Sequence, residues 1–148
     1  MDNASVAEAV VDRVQARLDR QFDYNDALDA KCFGLLGADA AAIGVLVAVH
    51  DSINRYWAIP AIALGVSAIF LMYVIYPRKL DAGPNWREFY EKFGGANPLD
   101  ASLQMLTELL LAVEANDATV PAKDVPFKIG FVVMAFGLLG TLLVGLVH

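Results

Sequence analysis

Cysteine and histidine are almost absent from this chain: Cys32 is the one thiol, and His50 and His148 are the two imidazoles. A single cysteine excludes an intramolecular disulfide and a cysteine zinc cluster. Neither histidine has a partner at metal-ligand spacing, so no metal or other cofactor is expected. No Gly-rich phosphate loop, G-x-S-x-G elbow or H-E-x-x-H helix occurs. With no catalytic set in view, the sequence predicts a protein that is not an enzyme. The first twenty residues are polar and lack an apolar h-region, which predicts no cleavable signal peptide, and no lipidation motif is visible. A net charge of −6 argues against a general nucleic-acid surface while leaving room for a local basic pocket. No sequence repeat of fixed period is present.

Apolar residues dominate what remains. They make up 57% of the 148 residues, and mean hydropathy is +0.50. That is high for a soluble domain and puts the membrane first among the classes to test. Between Lys31 and His50 lie eighteen residues with one charge among them, Asp39. A helix of about 20 apolar residues crosses a bilayer core of about 30 Å. An aspartate at that depth costs on the order of 3 kcal/mol, so a lipid-facing position suits it badly.

Upstream, residues 5–30 read as an amphipathic helix, capped by Asn3 or by Ser5 with Glu8 three residues on. Val6, Val10, Val14, Leu18 and Phe22 recur every four residues. This helix packs on its own protein or a sister subunit, or lies in the membrane interface. Its mixed charge favours the first. No Gly or Pro separates it from the apolar run, so one long helix can continue into span one.

Span one covers roughly residues 31–49. Gly37, Ala41, Gly44 and Ala48 form a small-residue stripe at 4-3-4 spacing, which lets helices approach closely in lipid, and Asp39 flanks it. After a polar turn (His50, Asp51, Ser52, Asn54, Arg55), Tyr56 and Trp57 mark a membrane interface. Span two runs about 57–76, with Pro60 in its first turn and Ala61, Gly65 and Ala68 on a small face. Tyr73 and Tyr76 mark the far interface, and Pro77-Arg78-Lys79 stops the span.

Residues 77–125 form a polar helical insert. Asp81 to Asn85 is turn chemistry. Trp86, Phe89, Tyr90 and Phe93 fall on one face of a short helix ended by Gly94-Gly95. Asn97 as N-cap and Pro98 at N1 start another, with Leu99, Leu103, Leu106, Leu110 and Val113 as its apolar face. Asn116-Asp117 and Pro121 are expected to break it. Span three, about 127–147, follows Pro126 and carries Gly137, Thr141 and Gly145. The domains expected are therefore an N-terminal helix (1–30), two spans (31–76), an insert (77–125) and a third span (126–148). Ten of the eleven basic residues fall on the side of the N-terminal helix and the insert, and Arg55 alone falls on the other. The positive-inside rule makes the first side cytoplasmic, with the C-terminus and both histidines outside.

Two sites carry chemistry. Asp39 is either a pore, proton or ion determinant, or a carboxyl hydrogen-bonded to a neighbouring helix that keeps subunits in register. Trp86, Phe89, Tyr90 and Phe93 can stack nucleobases beside Arg87 and Lys92, or can pack on the cytoplasmic ends of the spans. Arg78, Lys79, Arg87 and Lys92 form a surface for an anionic ligand, or simply set topology.

The run Asp26-Ala27-Leu28-Asp29-Ala30-Lys31 leading into Gly34-Leu35-Leu36 resembles the D-x-K-A-x-x-L-L-like entry of the transmembrane effector domain of bacterial pyrimidine cyclase (Pycsar) anti-phage systems. That family has a polar residue in the following helix, where Asp39 stands here. Tyr76-Pro77-Arg78 closing span two, Asn85 after it, and a Gln104-containing helix before span three also match in order and spacing. The similarity covers roughly residues 18–147. Cys32 stands where the family usually has alanine, and Asn116 to Lys123 matches its N-x-x-K-like helix only loosely. The resemblance implies an inner-membrane effector that damages or permeabilises the membrane when a nucleotide signal changes during infection. It implies as partners the bilayer, the chain itself as a homo-oligomer (a tetramer is expected), a cyclic nucleotide or short oligonucleotide, and the cyclase or nucleotidyltransferase that makes it. The full expectation is an all-α, three-span, homo-oligomeric protein forming a nucleotide-regulated channel or pore that causes growth arrest or cell death. A membrane scaffold that recruits a cytoplasmic partner is the alternative.

Overall fold

The computed structural model describes residues 3–49 and 55–146. The polar turn at 50–54 and His148 lie outside the described residues. All regular structure among the described residues is helical: α1 (Asn3–Ala48), a single 3-10 turn (Arg55–Trp57), α2 (Ala58–Ile75), α3 (Trp86–Phe93), α4 (Pro98–Thr119) and α5 (Pro121–Leu146). Three stretches of helix are long and apolar enough to cross a membrane: one within α1, α2 itself, and one that includes α5. The all-α, three-span expectation is met.

α1 runs unbroken for 46 residues from the polar N-terminal segment into span one, as the lack of an early Gly or Pro predicts. It begins at Asn3, so Ser5 lies inside the helix and does not cap it. Its buried face differs from the stripe read at every fourth residue. Ala7, Val11 and Leu18 are buried, whereas Val6 and Val10 are 46% and 38% exposed. Steps of four drift by about 40° per step on a helix of 3.6 residues per turn, so Val6 and Phe22 cannot share a face. Alternating steps of four and three keep their bearing. The sequence holds that rhythm through Ala7, Val11, Val14, Leu18, Gln21, Asn25, Leu28, Cys32, Leu35, Asp39, Ala42 and Leu46, all buried or half-buried.

The chain divides into two compact units. One comprises residues 1–26 and 78–121. Its core is Val11, Leu18, Leu109, Ala112 and Val113, with Val14, Phe22, Met105 and Leu106 packed around it. Asn85 caps α3 by accepting from the Arg87 N–H, and Asn97 caps α4 by accepting from Leu99, with Pro98 at N1 as expected. The connection before α3 is fixed by Asn116. Its Oδ1 accepts from the Asp81 N–H, and its Nδ2 donates to the Asp81 carbonyl, both at 2.8 Å. Gly83, at φ +79°, follows, with Leu109 and Leu18 against the place a Cβ would take. A side chain there would meet both strain and a neighbour.

Asn116 and Asp117, expected to end the helix, lie inside α4. Asn116 is buried, and both its oxygen and its nitrogen bond to the Asp81 backbone, so it does not compete with its own helix. The interruption shrinks to Val120: its N–H still bonds back to Asn116, while Pro121 opens the next helix. Pro126 does not open the helix that carries the third span but sits within α5, where it leaves the Ala122 carbonyl without its usual donor.

The second unit comprises residues 27–77 and 122–148. Three helical segments share one apolar interior. Leu28, Cys32, Leu71 and Val74 form its first cluster, and Leu46, Leu64 and Met134 its second. α2 turns Pro60, Leu64, Ser67, Leu71 and Val74 inward at 4-3-4-3 spacing. α5 turns in Lys123, Gly130, Met134 and Gly137. Where α2 meets α5, glycine permits close approach. A Cβ on Gly137 would lie 2.8 Å from Leu64 side-chain atoms, and one on Gly140 would lie 3.2 Å from Pro60. Gly145, at small-residue spacing from Gly137, borders open space, and so does Gly65 of α2.

Candidate functional site

Asp39 sits where the three segments of the second unit meet. It is 1% exposed and sits between the two apolar clusters on the buried face of α1. Ser67 of α2 faces it, with Oγ 2.8 Å from Asp39 Oδ2. The same Oγ is 3.0 Å from the carbonyl oxygen of Gly130 on α5. Asp39 Oδ1 has no hydrogen-bond partner. Gly130 belongs here for a steric reason: a Cβ would come 3.2 Å from Phe70 and 3.3 Å from Leu71. The helix that receives the Asp39 contact is therefore in the same protomer. Ser67 was not singled out in the sequence, because a lone serine in an apolar run gives no signal until its facing residue is known.

A second polar contact lies among the same three segments. Lys123 Nζ is 3.1 Å from Asp29 Oδ1. Lys123 is 3% exposed, which is rare for an ammonium unless it is paired. It joins the first turn of α5 to the entry stretch of span one. In the sequence Lys123 bears on topology and on a loose motif match, and Asp29 on a motif, and neither signals the other. Their separation of 94 residues hides the pair.

Gly37, Ala41, Gly44 and Ala48 occupy the opposite side of α1. All four are exposed, and a Cβ on Gly37 or Gly44 would meet nothing within 4 Å. The stripe is longer than the sequence reading made it. Ala27, Ala30 and Gly34 continue the spacing backward, giving seven exposed small residues at 3-4-3-4-3-4 intervals. The rhythm was present in the sequence; taking Lys31 as the edge of the span cut it short.

The basic and aromatic set does not gather into one surface. Arg78 and Lys79 lie on the connection between α2 and α3, Arg78 half-buried and Lys79 exposed. Arg87 is exposed and pairs with Glu91 at 3.5 Å. Trp86 lines a cleft of about 410 Å³ with Glu8 and Asp12 of α1 and Ser102 and Met105 of α4. Lys92 instead borders a cavity of about 220 Å³ with Glu88, Phe89, Phe93 and Glu108. Phe89 and Phe93 are in ring contact at 5.0 Å, and the Lys92 ammonium lies 5.4 Å from the Phe93 centroid. Tyr90 points to solvent. Two carboxylates against one ammonium make the smaller cavity a poor host for a phosphate by itself. Among the described residues no group of three His, Cys, Asp or Glu side chains could hold a metal.

A family model described as the Pycsar effector protein domain matches residues 13–147. No curated protein and no solved structure matches the chain.

Proposed function

The chain belongs to the Pycsar effector protein domain family, transmembrane effectors of anti-phage defence, and from that premise we propose that it self-assembles into a nucleotide-regulated channel or pore in the bacterial inner membrane. The exposed small-residue stripe of α1 carries this reading. It faces away from the side of α1 that buries Leu28, Cys32, Asp39 and Leu46 within the protomer. In lipid, where apolar side chains gain nothing by leaving the solvent, close backbone approach and van der Waals contact drive helices together. Seven small residues on one line supply that approach. The Asp39–Ser67–Gly130 contact then serves to hold each protomer's three helices together, while span one lines the contact between copies. The count of four copies is part of the proposal.

The distribution of basic residues supports a cytoplasmic N-terminus and insert. The nucleotide ligand, cyclic or oligomeric, then meets the unit formed by residues 1–26 and 78–121, where Arg78 and Lys79 on the connection before α3, Trp86 at the larger cleft, and Arg87, Tyr90 and Lys92 along α3 offer separate cationic and stacking groups. The signal's source is a nucleotide cyclase or nucleotidyltransferase. Growth arrest or death follows from lost ion gradients.

One observation favours a second reading, a membrane scaffold with a cytoplasmic partner. Leu103, Leu110 and Leu111 of α4 are about half exposed or more, outside the membrane-spanning unit. Conductance of the purified chain in planar bilayers, with cyclic mononucleotides and short oligonucleotides added in turn, separates the two. Nucleotide-dependent current steps are expected. Silence under every ligand, with a folded protein in the bilayer, favours the scaffold.

A further inference from the structure

We infer that Asp39 is a proton-binding site, whose one bound proton completes a hydrogen-bonded chain from α1 through Ser67 on α2 to the Gly130 carbonyl on α5. The argument is a count of hydrogens. Ser67 Oγ stands 2.8 Å from Asp39 Oδ2 and 3.0 Å from the Gly130 oxygen. Two oxygens at such distances need a hydrogen between them. A serine hydroxyl has one hydrogen to give, an ionised carboxylate has none, and a carbonyl has none. With Asp39 ionised, one of the two contacts would set lone pair against lone pair, and Oδ1, which has no partner, would be a charged oxygen with no donor in a buried site. With one proton on Asp39, Oδ2–H donates to Ser67 Oγ and Ser67 donates to Gly130. Both contacts are then made, and Oδ1 is an uncharged carbonyl oxygen.

No cation is placed to take the proton's part. α2 (Ala58–Ile75) has no charged residue, and Tyr73, its one titratable group, is exposed. On the buried face of α1 the preceding titratable groups are Cys32 and Asp29, seven and ten residues away. On α5 the nearest ammonium facing inward is Lys123, seven residues before Gly130 and already bonded to Asp29. Proton occupancy is thereby tied to the packing of all three spans. The inference stands whether or not the protein conducts ions.

Infrared spectroscopy of the full chain in lipid vesicles at neutral pH tests it. A carbonyl stretch from an un-ionised carboxyl is expected, absent from Asp39→Asn and shifted in Ser67→Ala, where the acceptor of the Asp39 proton is gone. Asp39→Asn keeps the shape and a donor toward Ser67, so its unfolding midpoint should stay near that of the wild type, while Asp39→Ala falls below both. A wild-type spectrum with carboxylate bands alone would overturn the inference. So would a carboxyl band that survives in folded Asp39→Asn. Should Asp39→Asn not fold, the wild-type band and its shift in Ser67→Ala decide: a band that Ser67→Ala leaves in place counts against the site.

Discussion

Gly137→Ala asks whether α2 and α5 meet as described. An added methyl would stand 2.8 Å from Cγ and Cδ2 of Leu64 and 3.3 Å from its backbone nitrogen. Ordinary carbon contacts begin near 3.5 Å. Leu64 has no exposed surface into which to turn, and the backbone nitrogen cannot turn at all, so the helices must separate. Overpacking of this kind costs about 1–3 kcal/mol. Alanine recovers up to about 1 kcal/mol of that through helix propensity, which leaves a net loss of about 1 kcal/mol. Gly65→Ala and Gly145→Ala keep the propensity gain with nothing within 4 Å to resist it. The gap between Gly137→Ala and these controls is about 2 kcal/mol, roughly thirtyfold in the unfolding equilibrium. Unfolding in mixed micelles, followed by circular dichroism against rising denaturing detergent, reads that gap directly. Gly130→Ala and Gly140→Ala, with contacts of 3.2 Å, should fall between. A Gly137→Ala protein as stable as Gly65→Ala would refute the packing of α2 on α5.

Other expectations follow from single contacts. Asp29→Ala strands the buried Lys123 ammonium and should cost about 3–5 kcal/mol, whereas Asp29→Ala with Lys123→Met should recover much of the loss; the same detergent titration checks both. Asn116→Ala removes both bonds to Asp81, at about 1 kcal/mol each, and should speed proteolytic cleavage of the connection before α3 relative to wild type. Arg17→Ala removes an exposed ion pair with Asp117, 2.7 Å long and half in solvent. It should change stability by less than about 1 kcal/mol and lose even that effect in high salt.

Helix content and the number of spans could be read from the chain because they depend on local runs. Eighteen residues with one charge, or a Pro at the first turn of span two, need no partner to be interpreted. Asp39 could be singled out for the same reason, since an acid is conspicuous in an apolar run. What it touches could not be read. Ser67 is 28 residues away, and only the packing angle of α2 against α1 brings the two together. Asn116 misled for a related cause. Its residue type signals a helix end, but its side chain is occupied by the Asp81 backbone, a tertiary contact that overrides the local preference. The stripe on α1 was legible in part, because spacing shows which residues share a face but not whether that face looks inward. Val6 and Val10 went the other way: they are apolar, yet the 4-3 rhythm turns Ala7 and Val11 inward in their place.

The central claim is that copies of this chain meet along the small-residue face of α1. Disulfide cross-linking in native membranes tests it most directly, because Cys32 is fully buried in the protomer and single cysteines can be added elsewhere. Ala41→Cys and Gly44→Cys should give covalent dimers under mild oxidation, while Ile69→Cys on α2 and Phe136→Cys on α5, which are also exposed, should stay monomeric. Equal cross-linking at all four positions, or none at Ala41 and Gly44, would contradict the claim.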